Sequence, residues 1–530
     1  MTGQLVIPMS GTGERFQRAG YKLPKPLIPV DGKPIIAHVL DMYPGWEDVV
    51  FVVNEEHLEV KSWNLAGTLK SLRPEGKIVP IAKHKKGPAW AVKQASQYID
   101  RARPVVANYC DFTCRWNHEE FEKKLISGVQ GLIPTYTGFH PHMLRSTAFA
   151  YVKKEGSRVV DIQEKQPWTL DPFSEEASSG TYAFSSGQVM LDAIDEQIES
   201  NDSLNGEFYL SLTYKSMLKR GMNVETFLID YFMQWGTPED LQDYEYWSET
   251  LKKLSRSKVS KTHSFESLLL AAGEGRRFAD QGYSLPKPLI EVSGSPMVGQ
   301  ISKGLGTSQV TVLSRSDLQN GDLLESYLQE NNLRTIHVAS ITSGQAESAY
   351  LGLQQMAVKD ANKPIFVGAC DALMIPGKNL DDKKMASNEI WVWAQKNYRP
   401  GAINPMAYGW VNAEPNSDLL CESAVKTLIS FSDQWQVITG TFTFGDKKYA
   451  ESLLKEFLAL DEKVNGESYL DSLLDFALQK KWIIRIKHPD FFVSLGTPEE
   501  LKTFNYWREC MDSWPSHSYK FEHDPFVQCP

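Results

Sequence analysis

Two basic residues follow a glycine pair near the start of this sequence. Gly11 and Gly13 precede Arg15, and Lys25 comes next within the phrase LPKPL. Glycines leave backbone N–H groups open to a phosphate, although a bare G-x-G is also an ordinary turn. Prolines on both sides of the lysine restrict the backbone, as is needed to aim one cation at one point. The set is suited to a phosphorylated, anionic ligand, and we expect the lysine to be exposed.

The same set recurs in the second half of the chain with the same spacing, as Gly273, Gly275, Arg277 and Lys287. Three further blocks recur in the same order. They are VVANYCDF (105–112) with IFVGACDA (365–372), NGEFYLSL (205–212) with NGESYLDS (465–472), and WGTPEDLQDYEYW (235–247) with LGTPEELKTFNYW (495–507). Because the blocks keep their order and nearly their offset, the chain is a tandem repeat.

The elements that position these residues read as α/β in both halves. A short apolar run, QLVIPM or SLLLAA, leads directly into the glycines, and a helical stretch and a second apolar run follow. Strands alternating with helices predict a mainly parallel mixed sheet with helices on both faces. In such sheets ligands bind at the carboxyl ends of the strands, where the glycine loops begin.

The repeat sets the predicted domain boundaries. Domain 1 covers residues 1–250 and domain 2 residues 265–508, with a linker at 251–264 that is rich in Ser, Lys and Thr. Residues 509–530 form a C-terminal tail without a counterpart in the first half, and its aromatic residues predict that it packs on the protein, with the other half as a candidate surface.

Composition narrows the classes of function. The chain has 530 residues, 42% of them hydrophobic, and a formal net charge of −10, which argues against broad nucleic-acid binding. Its six cysteines are too sparse for a disulfide scaffold or a zinc site. No apolar run reaches the roughly 18 residues of a membrane span, and the N-terminus does not read as a signal peptide. We therefore expect a cytoplasmic enzyme without a membrane partner.

The phrase G-x-G-x-R-F followed by L-P-K-P-L resembles the signature of the sugar-phosphate nucleotidyltransferase family, which includes NDP-sugar pyrophosphorylases and cytidylyltransferases. The resemblance covers nearly the whole chain, once per half, and the first copy is similar to the branch associated with surface-polysaccharide precursors. It implies two tandem Rossmann-like (GT-A-like) nucleotidyltransferase domains. The implied activity, of class EC 2.7.7, joins an NTP to a phosphorylated small molecule and releases pyrophosphate. The residues that would hold the triphosphate are Arg15, Lys25, Arg277 and Lys287.

The resemblance also implies a Mg²⁺ ion, for which Asp111 and Asp371 occupy the family's first ligand position. The family's second aspartate lies two residues before the glycine of G-T-P, where this chain has Gln234 and Ser494. Asp230 and Asp490 lie four residues earlier and would face the same side of a strand. They could replace the missing ligands, bind through water, or be ordinary surface residues.

Further positions follow from the resemblance. The loop that reads the base corresponds to KKGPAW and SGQAES, with Gly87, Gly344 and Gln345 as candidates, although a plain loop-to-helix start fits as well. On the acceptor side, the family's E-K-P lysine corresponds to Lys165 in QEKQP and to Lys426 in ESAVKT. The N-G-E phrases offer Glu207 and Glu467, and they also suit the start of a helix.

Several readings of the duplication stay open. Both halves could be active, one could be a nucleotide-binding relic, or the pair could form an intramolecular pseudo-dimer. The first half keeps the fuller acceptor phrase, but the second keeps its glycines, arginine, lysine and aspartate, which favours two competent sites. A cytidylyltransferase acting on a non-sugar phosphate, a GT-A glycosyltransferase and a non-catalytic nucleotide-binding regulator are the alternative functions.

Overall fold

The computed structural model describes residues 3–259, 263–358, 363–377, 384–427 and 434–527. Parts of the expected linker and tail, including Cys529, lie outside these ranges. The chain divides into two compact units, Met1–Trp247 and Ser248–Pro530. The helix that begins at Pro238 runs to Arg256 and so includes the first residues of the expected linker.

The first unit begins with a strand whose six residues are all buried, as is the next strand of its parallel sheet, so both faces of the sheet are covered. Its described strands are β1 (Gln4–Met9), β2 (Pro29–Val30), β3 (Lys33–Pro34), β4 (Val49–Asn54), β5 (Lys77–Ile81), β6 (Val105–Asn108), β7 (Phe112–Arg115), β8 (Gly131–Tyr136), β9 (Ala150–Glu155), β10 (Arg158–Glu164), β11 (Glu176–Ser178), β12 (Thr181–Phe184), β13 (Val224–Leu228) and β14 (Tyr231–Gln234). Its helices are α1 (Glu14–Arg18), α2 (Ile35–Asp41), α3 (Glu55–Glu59), α4 (Leu65–Leu72), α5 (Pro88–Gln94), α6 (His118–Leu125), α7 (Gly187–Glu199), α8 (Thr213–Lys219) and α9 (Pro238–Arg256).

These strands form a mixed sheet in the order β11-β9-β10-β13-β8-β12-β6-β1-β4-β5. Its parallel portion is β6-β1-β4-β5, and β12 joins it antiparallel to β6. A separate antiparallel ribbon pairs β7 with β14. The glycine loop follows β1 and Asp111 lies between β6 and β7, so both lie at the carboxyl ends of neighbouring strands.

The second unit repeats this architecture. Its described strands are β15 (His263–Leu270), β16 (Glu291–Val292), β17 (Ser295–Pro296), β18 (Thr307–Arg315), β19 (Arg334–Val338), β20 (Ile365–Ala369), β21 (Ala372–Ile375), β22 (Glu389–Gln395), β23 (Gly409–Ala413), β24 (Leu420–Val425), β25 (Gln436–Phe444), β26 (Ile483–Lys487) and β27 (Phe491–Ser494). Its helices are α10 (Arg276–Ala279), α11 (Met297–Leu305), α12 (Gly321–Glu330), α13 (Gln345–Gln355), α14 (Arg399–Ile403), α15 (Lys447–Leu458), α16 (Leu473–Gln479) and α17 (Pro498–Ser513).

The second sheet runs β19-β18-β15-β20-β25-β22-β26, with β23 pairing with β24 and β25, and β21 and β27 form the separate ribbon. Strand for strand, β15, β18, β19 and β20 repeat the parallel portion of the first sheet. The predicted α/β fold in two tandem copies is therefore confirmed, with mixed sheets in both.

The C-terminal tail packs within its own unit. Tyr519 and Phe526 are fully buried, and the Arg508 guanidinium of α17 pairs with the buried Asp524 carboxylate at 2.8 Å. The Gln300 side chain of α11 donates to the Phe526 carbonyl at 2.8 Å. Among the helices in the described ranges, none has the length and hydropathy of a membrane-spanning segment.

Candidate active site

The glycine loops adopt the same backbone conformation in the two units. Gly13 and Gly275, which precede α1 and α10, have φ angles of 66° and 65°, a left-handed conformation that favours glycine. A Cβ added to Gly11 or Gly273 would meet no described heavy atom within 4 Å. The backbone of each loop is therefore open to a ligand.

The signature lysines form ion pairs at the base of each cleft. Lys25 Nζ lies 2.6 Å from Asp111 Oδ2 and 2.9 Å from the Gly236 carbonyl oxygen. Lys287 likewise pairs with Asp371, and its Nζ lies 3.5 Å from the carbonyl oxygen of Gly496. In each unit the lysine ammonium thus contacts both the aspartate carboxylate and the backbone of the G-T-P phrase.

The expectation that these lysines are exposed is wrong. The side chains of Lys25 and Lys287 are only 18% and 16% exposed, because each is enclosed by its aspartate and the G-T-P backbone. Burial is the largest influence on Lys287 and opposes its charged form, but Asp371, together with Cys370 and Glu500, raises the pKa of this lysine above its ordinary value.

A cleft opens over each glycine loop. The first, of about 590 Å³, is lined among others by Gly11, Gly13, Arg15, Lys25, Gly87, Asp111 and Glu207. The second, of about 440 Å³, is lined among others by Gly273, Gly275, Arg277, Lys287, Gly344, Gln345, Asp371 and Glu467. The structure brings these sequence-predicted residues together in the same arrangement twice.

Gly87 and Gly344 each allow two loops to meet. Gly87 has φ 86°, and a Cβ there would stand 2.6 Å from the Phe208 backbone. At Gly344 a Cβ would stand 2.5 Å from the Ser468 carbonyl oxygen. Backbone hydrogen bonds of 2.9 and 2.8 Å, from Phe208 N and Ser468 N, close these contacts. The expected base loop is therefore joined to the N-G-E loop in both units.

The acceptor-side lysines point to a tyrosine that the sequence analysis did not single out. Lys165 and Lys426 both have left-handed φ angles, of 60° and 48°. Their Nζ atoms lie 2.5 Å from the hydroxyl oxygens of Tyr209 and Tyr469. The weak sequence match at Lys426 thus occupies the same structural position as Lys165.

The two tyrosines connect these lysines to the glutamates of the N-G-E phrases. The Tyr209 hydroxyl donates to the Glu207 carboxylate, and Tyr469 is hydrogen-bonded to Glu467. Burial, with the adjacent glutamate, raises the pKa of both phenols well above their usual value. The signal was present in the sequence, because both tyrosines lie in the repeated phrase NGE-x-YL.

Asp230 and Asp490 are not brought to the clefts. The Asp230 amide donates to the Arg115 carbonyl, whereas the Asp111 carbonyl accepts from Trp235 at the other end of the ribbon. The Asp490 amide likewise donates to the Ile375 carbonyl. Residues four apart do share a strand face, but at about 3.3 Å per residue they are separated by about 13 Å. The hypothesis that Asp230 and Asp490 replace the missing metal ligands is therefore wrong.

Carboxylates from the helices that follow lie next to Gln234 and Ser494 instead. The Asp240 carboxylate accepts from the Gln234 side chain at 3.2 Å and from Thr237 N at 2.9 Å. In the second unit the Glu500 carboxylate accepts from the Ser494 hydroxyl at 3.0 Å and caps α17 through Thr497. Burial raises the pKa of both carboxyls. The repeated phrases P-E-D and P-E-E, which contain Asp240 and Glu500, could have identified these two carboxylates in the sequence.

A cation in these clefts would find few protein ligands. Within the described ranges no group of three or more His, Cys, Asp or Glu side chains could enclose a metal ion. Asp111 and Asp371 each offer one carboxylate, and Gln234 Oε1 is buried without a hydrogen-bond partner among the described residues. This donor set fits a hard cation held chiefly by the phosphates of a ligand, which is how Mg²⁺ is commonly bound.

Comparison with known proteins agrees with this geometry. A family model described as "Nucleotidyl transferase" matches residues 5–250, and one described as "MobA-like NTP transferase domain" matches residues 267–430. The chain belongs to the nucleotidyltransferases. One such domain lies in each half of this tandem nucleotidyltransferase.

Curated relatives of the tandem nucleotidyltransferase are identical to it at about a quarter of the aligned positions. The "Bifunctional protein GlmU" of Clostridioides difficile is 25% identical over 235 residues, which are 43% of this chain and 47% of the relative. That of Bacillus subtilis is 26% identical over 237 residues, covering 43% and 48%. The chain thus spans about half the length of the curated relatives it matches.

Solved structures similar to the tandem nucleotidyltransferase include a nucleoside-diphosphate-sugar pyrophosphorylase from Vibrio cholerae RC9. It is 21% identical with a TM-score of 0.39 and covers 46% of this chain and 99% of its own. An inositol-1-phosphate CTP transferase from T. maritima is 17% identical with a TM-score of 0.37, covering 50% and 99%.

Proposed function

We propose that each half of this chain transfers a nucleotidyl group from an NTP to a phosphomonoester. The observation that carries the proposal is the duplicated cleft, in which a bare glycine loop, an arginine and an aspartate-paired lysine share the lining with the N-G-E glutamate. In both units a tyrosine connects this glutamate to a second lysine. Family membership supports the same reaction class, EC 2.7.7.

In this reaction a phosphate oxygen of the acceptor attacks the α-phosphorus of the NTP. The bond from the α-phosphorus to the bridging oxygen breaks as the new phosphoanhydride bond forms, and pyrophosphate leaves with the electron pair. No proton transfer to the protein is needed, so catalysis consists of alignment and charge stabilisation. Residues that hold anions therefore suffice for the chemistry.

The cations of each cleft divide between the two substrates. Arg15 and Lys25 would hold the triphosphate above the glycine loop, and Lys165 would hold the acceptor phosphate. The ion pair with Asp111 fixes Lys25 Nζ at one point before substrate binds. In the second half Arg277, Lys287 and Lys426 would take the same roles.

Nucleotidyltransferases generally use a divalent cation. We propose Mg²⁺, held by the NTP phosphates together with Asp111 in the first half and Asp371 in the second. When bound, it would offset negative charge on the phosphates. Gln234 could add its amide oxygen.

The broader role is a step in making precursors of surface polysaccharides, with a sugar phosphate or a related phosphomonoester as acceptor. We propose that both halves are active. A cytoplasmic location and an intramolecular pseudo-dimer remain predictions from the sequence. A GT-A glycosyltransferase and a non-catalytic nucleotide sensor are outcomes that the following experiment separates.

The test is pyrophosphate release with Mg²⁺, in which CTP, UTP, dTTP, GTP and ATP are each combined with a panel of sugar phosphates and other phosphomonoesters. Lys25→Met and Lys287→Met keep the length of the side chain but remove its charge. We expect each to reduce the turnover of its own half by at least about 100-fold, because a charge aimed at the reacting phosphates is lost.

Lys22→Ala and Lys303→Ala serve as matched controls, since both remove an exposed lysine, the first from the same loop and the second from α11. Both should retain wild-type rates. Full pyrophosphate release by the Lys25→Met/Lys287→Met variant would contradict the assignment. Tight NTP binding without pyrophosphate release from any combination of NTP and phosphomonoester would identify a sensor. Turnover of a nucleotide sugar without pyrophosphate release would identify a glycosyltransferase.

A further inference from the structure

The acceptor sides of the two units differ at three positions that lie next to one another. Strand pairing makes Ala150 and Glu164 of the first unit equivalent to Gly409 and Val425 of the second. The third difference lies four residues after the N-G-E glutamates, where the first unit has Ser211 and the second has Asp471.

In the first unit the strand supplies a carboxylate. Glu164 is the last residue of β10 and directly precedes Lys165. The buried Ser211 hydroxyl donates to the Glu164 carboxylate. Burial raises the pKa of Glu164, while Ser211 and the Lys165 ammonium oppose the rise. An acid group thus lies beside the acceptor lysine and within electrostatic reach of Tyr209.

In the second unit the loop supplies the carboxylate. Val425 cannot provide a charge, but Asp471 Oδ2 lies 2.0 Å from where a Cβ on Gly409 would stand. Asp471 therefore packs over the backbone of β23, in space that an alanine such as Ala150 would fill. Its charge acts on both Lys426 and Tyr469.

The three differences compensate one another. A carboxylate is lost from the strand, another appears on the loop, and a glycine makes room for it. The outcome in both units is a second acid group near the lysine–tyrosine pair, in addition to the glutamate of the N-G-E phrase. Drift in a site without function would not be expected to preserve this charge by three matched changes.

We propose that Asp471 is the acceptor-site carboxylate of the second half and a positioning residue that holds the Lys426 ammonium on Tyr469, ready for the phosphate of a phosphomonoester. The inference rests on the proposed function and extends it, since it gives the second half an acceptor site of its own. Asp471 acts through Lys426 and does not itself touch the reacting atoms.

The kinetic test uses the full chain with Lys25→Met, so that only the second half turns over. Adding Asp471→Asn keeps the shape of the side chain and removes its charge. We expect the KM for the acceptor to rise about 10-fold or more, as for loss of a charged partner, with the KM for NTP unchanged. The Asp471→Ser/Val425→Glu pair installs the first-half arrangement and should restore the acceptor KM, while Asp471→Ser alone should not.

A second readout does not depend on turnover. With ¹³C-dimethylated lysines, the Lys426 signal is assigned by its loss in Lys426→Arg, and its pKa is measured by NMR titration. Asp471→Asn should lower this pKa, because the ammonium loses a negative neighbour. An unchanged Lys426 pKa, or an unchanged acceptor KM, would overturn the proposal. A lowered pKa in a chain that never releases pyrophosphate would support the positioning role and overturn the proposed function.

Discussion

At the scale of residues, each unit has two candidate lysines in different surroundings. Lys25 is fixed by a carboxylate and a carbonyl oxygen, which accept hydrogen bonds from its ammonium in a mostly buried position. The Lys165 ammonium contacts the ring of Tyr209, 4.6 Å from the ring centre, and the side chain remains exposed. The first arrangement suits a permanent contact with a triphosphate, and the second leaves the ammonium free to receive a phosphate.

Because the Asp471 carboxyl is buried, we expect the proposed acceptor site of the second half to be sensitive to pH. Burial raises the pKa of its carboxyl to about 6, against the opposing charge of Lys426. As the pH falls through this value the carboxylate gains a proton, and the Lys426–Tyr469 pair loses one of its two negative neighbours, while Glu467 and the opposing charge of Arg277 remain. In the Lys25→Met chain we therefore expect the acceptor KM to rise below about pH 6.

The acceptor phosphate also titrates near pH 6, so the wild-type profile alone is ambiguous. Asp471→Asn resolves this, because the acceptor titrates in both chains and Asp471 in only one. The difference between the two pH profiles should contain a step near pH 6. Parallel profiles from pH 5 to 8 would show that Asp471 does not control the acceptor site.

The sequence predicted the residues of the clefts that recur at fixed spacing, such as Lys25 and Asp111. It could not predict the exchange of Glu164 for Asp471, because the two lie on different elements and only folding brings their positions together. The expectation for Asp230 failed for another physical reason. Sharing a strand face says nothing about distance along the strand, and the ribbon separates Asp230 from Asp111.

At the scale of elements, the base loop and the N-G-E loop act as one piece. Phe208 N donates to the Lys86 carbonyl, and the Phe208 carbonyl accepts from Ala89 N, with Gly87 between them. The nucleotide and acceptor sides of the cleft are thereby joined through backbone hydrogen bonds. The repeat made both loops visible in the sequence, but their contact is a tertiary feature that no local pattern encodes.

Gly87→Ala should separate the two loops. With φ 86° and ψ 172°, Gly87 has a conformation that is essentially restricted to glycine and costs a residue with a Cβ about 1 to 3 kcal/mol, and the new methyl would also collide with the Phe208 backbone. We expect the KM values for both NTP and acceptor to rise in the first half and its melting temperature to fall.

Gly221→Ala is the matched control, because Gly221 has φ 72° and a Cβ there meets no described atom within 4 Å. It should show the backbone penalty in thermal unfolding and leave both KM values unchanged. Equal kinetic effects of the two substitutions would mean that the loop contact does not organise the cleft.

At the scale of the whole molecule, each unit carries a complete set of the proposed catalytic groups. The glycine loop, the lysine–aspartate pair and the lysine–tyrosine–glutamate set all lie within Met1–Trp247 in one case and within Ser248–Pro530 in the other. Neither set takes a residue from the other half. This organisation favours two sites that work separately over one site completed by a scaffold.

Separate sites predict additive rates. For any NTP and acceptor pair that the chain turns over, the wild-type rate at saturation should equal the sum of the rates of Lys25→Met and Lys287→Met, since each variant silences one half. Two independent sites turn over in parallel, so the total rate is the sum of their separate rates. If the halves prefer different acceptors, each variant should lose one acceptor completely and keep the other at the wild-type KM. A single variant that abolished turnover of every acceptor would contradict two separate active sites, because the remaining half would then be either inactive or dependent on its partner.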